Sequence, residues 1–265
     1  MIAELISVGT EILLGNIVNT NAQYLSKKLA ALGIDVHYQT VVGDNSDRIK
    51  NTLDVAFSRG DTVILTGGLG PTKDDMTKEM LISYFHKKPV LDKSALTALE
   101  ARLKMLNVEM TEHHKKQAIV PDDSIVLINH NGTAPGVIME DAGKTAILLP
   151  GPPKEMKPMF EEYVVDYLAK RSGKVFVSVN IKMLDFDHAP VRIVGEAPCA
   201  DRLEPVIDQA NPTVATYAKD DGCLIRITAS APSKEEARVL LKPTVEKCRR
   251  LLGETYINYI REDEG

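Results

Sequence analysis

Asp61-Thr62-Val63-Ile64-Leu65-Thr66-Gly67-Gly68-Leu69-Gly70-Pro71 decides how the chain folds. Residues 61–66 are a short apolar run, the length of a buried strand. The run ends in a turn whose glycines place no Cβ in the way of an approaching group. Towards the N-terminus, residues 2–8 read as another strand. Residues 20–32 read as a helix, with Ala22, Leu25, Leu29 and Leu32 on one face, Asn19 or Thr20 at its start and Gly33 at its end. Residues 34–42 read as a strand and 46–59 as a helix that turns Ile49, Leu53, Ala56 and Phe57 inward. This β-α-β-α-β order predicts an α/β fold, a mainly parallel sheet layered between helices on both faces.

Towards the C-terminus the spacing predicts helices near 75–85, 93–107 and 111–119. Strands near 124–129 and 144–149 follow, with turn chemistry at Asp141-Ala142-Gly143, and a helix over 153–170 closes the unit. Arg171-Ser172-Gly173 reads as a boundary, giving a first domain of residues 1–172. Strand, helix, strand, strand and helix then run from 175 to 252, with a hairpin signal at Asp220-Asp221-Gly222. They predict a small α+β domain over 173–253, and 254–265 reads as a charged linker or tail.

Composition narrows the function. The 265 residues carry a net charge of -5, so no overall positive field draws nucleic acid or an anionic membrane. No basic n-region or long apolar span marks a signal peptide or membrane helix. The cysteines, Cys199, Cys223 and Cys248, are odd in number and far apart, which argues against a zinc site and for reduced thiols in a cytoplasmic protein. G-x-G-x-x-G, the P-loop pattern, HExxH and G-x-S-x-G are all missing. His113 and His114 are adjacent, so on a helix they point about 100° apart and make a poor metal clamp.

Ligands of open parallel sheets bind beyond the carboxyl ends of the strands. Three glycine turns are expected there: Gly9-Thr10-Glu11, Gly67 to Gly70, and Gly151-Pro152-Pro153. Their amides suit phosphate oxygens. Asp75, or Asp74 beside it, reads either as the cap of the next helix or as a Mg²⁺ ligand. Asp44 reads either as a helix cap or as the second carboxylate, with Glu11 a third candidate. Lys73 would offset phosphate charge. Lys115 and Lys116 read as a solvated face or as further cations. Gly132 and Thr133, in the turn-rich run 129–136, are expected near the same edge, and Asn19 and Asn21 would orient a ribose or a phosphate.

These motifs resemble the competence-damage-inducible CinA family over nearly all of residues 1–170. The resemblance rests on Val8 to Gly15, Ile17 to Asn21, Val41 to Asp44, Leu65 to Asp75, Lys116-Gln117-Ala118, Gly132 to Gly136 and Leu149 to Glu155. It implies a molybdenum-cofactor-binding-like fold of the MoaB and MogA type, then a KH-like α+β domain. It also implies hydrolysis of ADP-ribose to AMP and ribose 5-phosphate with Mg²⁺, Mn²⁺ or Co²⁺, assisted by K⁺, in a homodimer. On this reading Asp75 and Asp44 hold the metal, Lys116 joins them in catalysis, and Thr77, Gln117, Pro152 and Glu155 complete the substrate contacts. Molybdopterin binding or adenylation, and a non-catalytic nucleotide-binding role, are the alternatives. The family usually continues into a nicotinamide-mononucleotide deamidase domain, and because this chain stops at Gly265 no deamidase activity is expected. The pattern departs from the family at His114 and over Asp185 to Arg192. No G-x-x-G occurs in 174–253, so the KH-like part is not expected to bind RNA.

Overall fold

In a computed structural model, described for residues 1–70, 72, 75–184 and 194–263, the chain forms two compact units, residues 1–30 with 34–171, and residues 31–33 with 172–265. The predicted segment 185–192 lies outside the described residues.

The first unit begins with β1 (Ile2–Val8), a short helix α1 (Thr10–Leu13), α2 (Thr20–Ala31), β2 (Asp35–Val42), α3 (Ser46–Arg59) and β3 (Thr62–Thr66). It continues with α4 (Thr77–Tyr84), β4 (Pro89–Leu91), α5 (Lys93–Met105), α6 (Glu112–Gln117) and β5 (Ile119–Pro121). It ends with β6 (Ile125–Leu127), β7 (Gly136–Asp141), β8 (Lys144–Leu149), and α7 (Pro153–Met159), which runs through a π turn at Phe160–Val164 into α8 (Val165–Ser172). The main sheet has the order β2-β1-β3-β8-β7-β6. β2, β1, β3 and β8 are parallel, and β7 and β6 are antiparallel additions. The architecture is thus the α/β layered fold that the chain order predicts, with an antiparallel edge that it does not. β7 is the strand missed at the sequence level. β4 and β5, which pair with each other, are also new, and β5 takes the end of the predicted helix 111–119.

Alternate residues of each central strand face opposite layers. Ile6, Val8, Val63, Leu65 and Leu148 pack with Ile49, Leu53, Ala56 and Phe57 of α3 and Leu81 of α4. On the other face, α2 buries Ala22, Leu25 and Leu29. It meets the C-terminal helix where Tyr24 lies edge-on to Phe160 at 6.2 Å and Lys28 pairs with Glu161 at 3.1 Å. Buried Glu4 accepts from Arg59 Nε at 2.9 Å and Nη2 at 2.8 Å and from Thr40 Oγ1 at 2.7 Å, which ties β1, β2 and α3 together.

The second unit contains β9 (Val175–Met183), α9 (Glu196–Ile207), β10 (Thr213–Lys219), β11 (Gly222–Ala231), α10 (Lys234–Leu252) and β12 (Ile257–Glu262). Its sheet is antiparallel, ordered β10-β11-β9-β12. The tail expectation for 254–265 is corrected here, because Ile257–Glu262 pairs with β9 and Arg238 holds Glu262 at 2.8 Å. The charged residues of that strand sit on a solvated sheet edge and need no tail to explain them. Cys199, Cys223 and Cys248 are all fully buried in this unit's core, none of them in a disulfide.

Candidate active site

Because β1, β2, β3 and β8 run parallel and side by side, their carboxyl ends deliver four loops to one edge. There a cavity of about 580 Å³ opens, within the range of small-molecule sites. Gly68, Asp75, Asp44 and Gly151 all line it. So do Gly9, Glu11, Asn19, Asn21, Gly67, Gly70, Gln117, Thr133, Pro152 and Glu155. Loops separated by more than a hundred residues therefore converge as the strand order requires.

The two aspartates are not helix caps. Asn45 caps α3, its side chain accepting from Arg48 N at 3.1 Å, and this leaves Asp44 to accept from Thr10 N and Thr10 Oγ1, both at 3.0 Å. Met76 is the N-cap residue of α4 and supplies no side-chain cap, and Asp75 Oδ2 instead takes the N–H of Thr72 at 3.0 Å and the Thr72 hydroxyl. In each aspartate one carboxylate oxygen is pinned, and Oδ1 takes no hydrogen bond among the described residues. Thr10 is consequently an orienting residue for Asp44, away from the cavity lining.

The backbone divides its labour. Gly9 N and Gly67 N are spent on Val42 O and Leu149 O at 3.0 and 3.1 Å, so these two glycines do not present bare amides. Gly68, Leu69 and Gly70 follow, and their amides have no acceptor among the described residues. Gly68 is held at φ +69°, where a Cβ would fall 1.9 Å from Thr77 Oγ1. Thr77 is fully buried below the turn, and its N–H binds Gly68 O at 3.2 Å. It shapes the loop and does not line the cavity.

Asn19 caps α2 through Ala22 N at 3.2 Å and donates to Ser7 Oγ at 2.9 Å, so its amide is committed to structure. Asn21 donates to Gly151 O at 2.7 Å, and its Oδ1 is buried without a partner among the described residues. Gly132 lies behind the wall. A Cβ there would meet Glu155 Oε2 at 2.0 Å, and Asn129 Nδ2 binds that oxygen at 2.9 Å. Asn129, absent from the predicted site, is the anchor of this loop.

Lys116 does not line the larger cavity. It is exposed and lines a neighbouring cavity of about 250 Å³, which shares Gly68, Leu69, Gly70, Asp75 and Gln117 with the first. Lys73 and Asp74 lie outside the described residues. Lys78, unpredicted, borders the smaller cavity and is only 4% exposed. Its Nζ donates to Gln117 O at 2.6 Å and Lys116 O at 3.4 Å at the carboxyl end of α6. Burial pushes its pKa down to about 8, against a smaller opposing pull from Glu79. The signal was present in the sequence: Lys78 shares the inward face of α4 with Leu81 and Ile82.

Electrostatically the larger cavity is acidic. Glu11, Asp44, Asp75 and Glu155 line it, and no lysine or arginine does among the described residues. No group of three or more His, Cys, Asp or Glu side chains able to hold a metal occurs among the described residues. A hard cation here would draw on two carboxylates and complete its shell with ligand oxygens and water, the usual arrangement for Mg²⁺ at phosphates.

Residues 4–170 match the family model described as "Probable molybdopterin binding domain", and residues 193–257 match the CinA KH domain of damage-inducible proteins. The crystal structure of CinA from Thermoplasma acidophilum, titled as of unknown function, is 37% identical with a TM-score of 0.58, covering 63% of this chain and 98% of that one. The chain belongs to the CinA family. Its first unit has the molybdopterin-binding-domain fold and its second the CinA KH fold. A CinA relative from Clostridium beijerinckii, whose name carries the words "competence-damage inducible protein", is 49% identical over 264 residues, 99% of this chain and 62% of that protein. A CinA-like protein from Kosmotoga olearia is 50% identical over 264 residues, again 62% of its length. The chain thus spans about 60% of the length of these CinA relatives. No helix among the described residues is long and apolar enough to cross a membrane.

Proposed function

We propose that the larger cavity binds the diphosphate of a nucleotide-linked small molecule with a divalent cation, and that the protein hydrolyses ADP-ribose to AMP and ribose 5-phosphate. One observation carries this reading: three open amides at Gly68, Leu69 and Gly70 share a cavity with four carboxylates and no described cationic side chain. Open amides select an anion. Carboxylates repel one unless a cation sits between them.

Asp44 and Asp75 would hold that cation through their unbonded Oδ1 atoms, with Mg²⁺, Mn²⁺ or Co²⁺ as candidates and K⁺ as an auxiliary ion. Bound there, the metal would neutralise charge developing on the phosphate oxygens and lower the pKa of a coordinated water. The chain itself fixes the geometry: Thr10 and Thr72 lock each carboxylate, and the Gly68–Gly70 amides hold the phosphates. The test is Asp75→Asn assayed with ADP-ribose and Mg²⁺. AMP release is expected to fall at least about 100-fold, the scale of losing an electrostatic stabiliser. Wild-type turnover in the variant, with melting temperature unchanged, would remove Asp75 from the mechanism.

A second reading, binding or adenylation of molybdopterin, is supported by the family match over residues 4–170 more directly than hydrolysis is. Incubation with molybdopterin and ATP separates the two. Adenylated pterin without ADP-ribose cleavage would favour the second.

A further inference from the structure

The core of the second unit brings two thiols together. α9 packs across β10 and β11, and its buried face presents Cys199 with Leu203 and Val206. Cys223 is the second residue of β11, in register with Ala218 of β10. Both sulfurs are shut inside one hydrophobic cluster. The Cys199 thiol donates a hydrogen bond to Cys223 Sγ, so the two meet where helix packs on sheet, and no disulfide joins them. The contact is polarised. Accepting from Cys199, and from the Tyr217 N–H, holds the Cys223 pKa below the ordinary thiol value even though burial opposes it. Cys199, the donor, is raised by the same bond and by burial. Cys248 on α10 shares the core but takes no part in that hydrogen bond, and burial lifts its pKa to about 11.

We propose that Cys199 and Cys223 are a reversible oxidation site, a dithiol that a small peroxide converts into a disulfide stapling α9 to β11. The site belongs to the second unit and does not depend on the activity proposed above. A disulfide forms only where the chain already holds two sulfurs close, and the hydrogen bond between these two meets that demand. The attacking species is a thiolate, and Cys223 is the member of the pair whose neighbours favour it. Its sulfur attacks one oxygen of hydrogen peroxide, the O–O bond breaks, and the departing hydroxide takes up the Cys223 proton as water. The Cys223 sulfenic acid so formed is attacked by Cys199 sulfur. The S–S bond closes, and the second hydroxide leaves with the Cys199 proton as another water. Two thiols are oxidised and one peroxide is reduced. A dithiol reductant returns two electrons and two protons and reopens the bond. Burial restricts the first step to small oxidants, and the adjacent Cys199 traps the sulfenic acid before further oxidation.

The test uses the reduced, full wild-type chain, so no variant has to fold. The protein is treated with hydrogen peroxide, then unfolded in guanidinium with iodoacetamide, and its peptides are mapped by mass spectrometry. Alkylation is expected to fall from all three cysteines to Cys248 alone, with a linked Cys199–Cys223 peptide lighter than its two parts by two hydrogens. Dithiothreitol added before unfolding should restore labelling of all three. Cys248 is expected to react with peroxide at least about tenfold more slowly than the pair, because its thiolate is scarce. A parallel sample exposed to peroxide already unfolded should instead mix pairings that include Cys248. Full alkylation of the folded protein after peroxide treatment would overturn the proposal. So would a linkage that includes Cys248 in the folded sample, a sulfonic acid on Cys223 without any linkage, or equal yields of the Cys199–Cys223 bond from folded and unfolded chains, since the fold would then contribute nothing.

Discussion

Lys78 shows how one side chain links stability to pH. Its folded pKa, about 8, lies below its ordinary value of 10.5, because burial disfavours the ammonium. Between these two values the unfolded chain binds more protons than the folded one, so stability contributed by Lys78 rises with pH from about 8 to 10.5 and is lost again as pH falls through 8. The gap corresponds to roughly 3 kcal/mol. The melting-temperature difference between wild type and Lys78→Met is therefore expected to move in the wild type's favour from pH 8 to pH 10, and a flat difference would refute the assignment. Gly68 is sensitive for another reason. Alanine there must adopt φ +69° and drive its Cβ into Thr77 Oγ1, so Gly68→Ala should cost about 1–3 kcal/mol in urea denaturation. Thr77→Ala added to it should recover part of that loss, because the hydroxyl is the nearest obstacle. The aspartates and glycines of the site were legible because each follows a strand end, and strand ends can be read from apolar runs. Asn129 and the pinning of Asp44 by Thr10 were not, since a side chain's partners depend on which helix packs where, and Lys78 was signalled only by its place on the inward face of α4.

Secondary elements were legible in proportion to their length and isolation. α3 was predicted over 46–59 and is found at Ser46–Arg59, because its apolar stripe is complete and Asn45 and Gly60 punctuate it. β7 was lost because its first residue belongs to the turn-rich run 129–136 and its last opens the Asp141-Ala142-Gly143 turn, leaving a short apolar core between. β12 was lost because its composition is that of a tail, yet it closes one edge of the second sheet. Deleting residues 257–263 should therefore unpair one side of β9 and release the ion pairs Arg238–Glu262 and Arg226–Asp263. Hydrogen exchange is expected to accelerate in β9 and leave β1 and β3 unchanged. Protection of β9 that survives the deletion would show that the pairing adds nothing.

The molecule as a whole consists of two units, each with its own core. The net charge of -5 and the missing G-x-x-G lead to the expectation that the KH-fold unit leaves a single-stranded RNA oligonucleotide unshifted in a gel at physiological salt, and a salt-sensitive shift would reverse that. The distribution of sulfur has a practical outcome. Every thiol of the chain belongs to the C-terminal half and is sealed from solvent there. An alkylating reagent should thus register only the moments when the core of the second unit opens, giving a built-in clock for that opening.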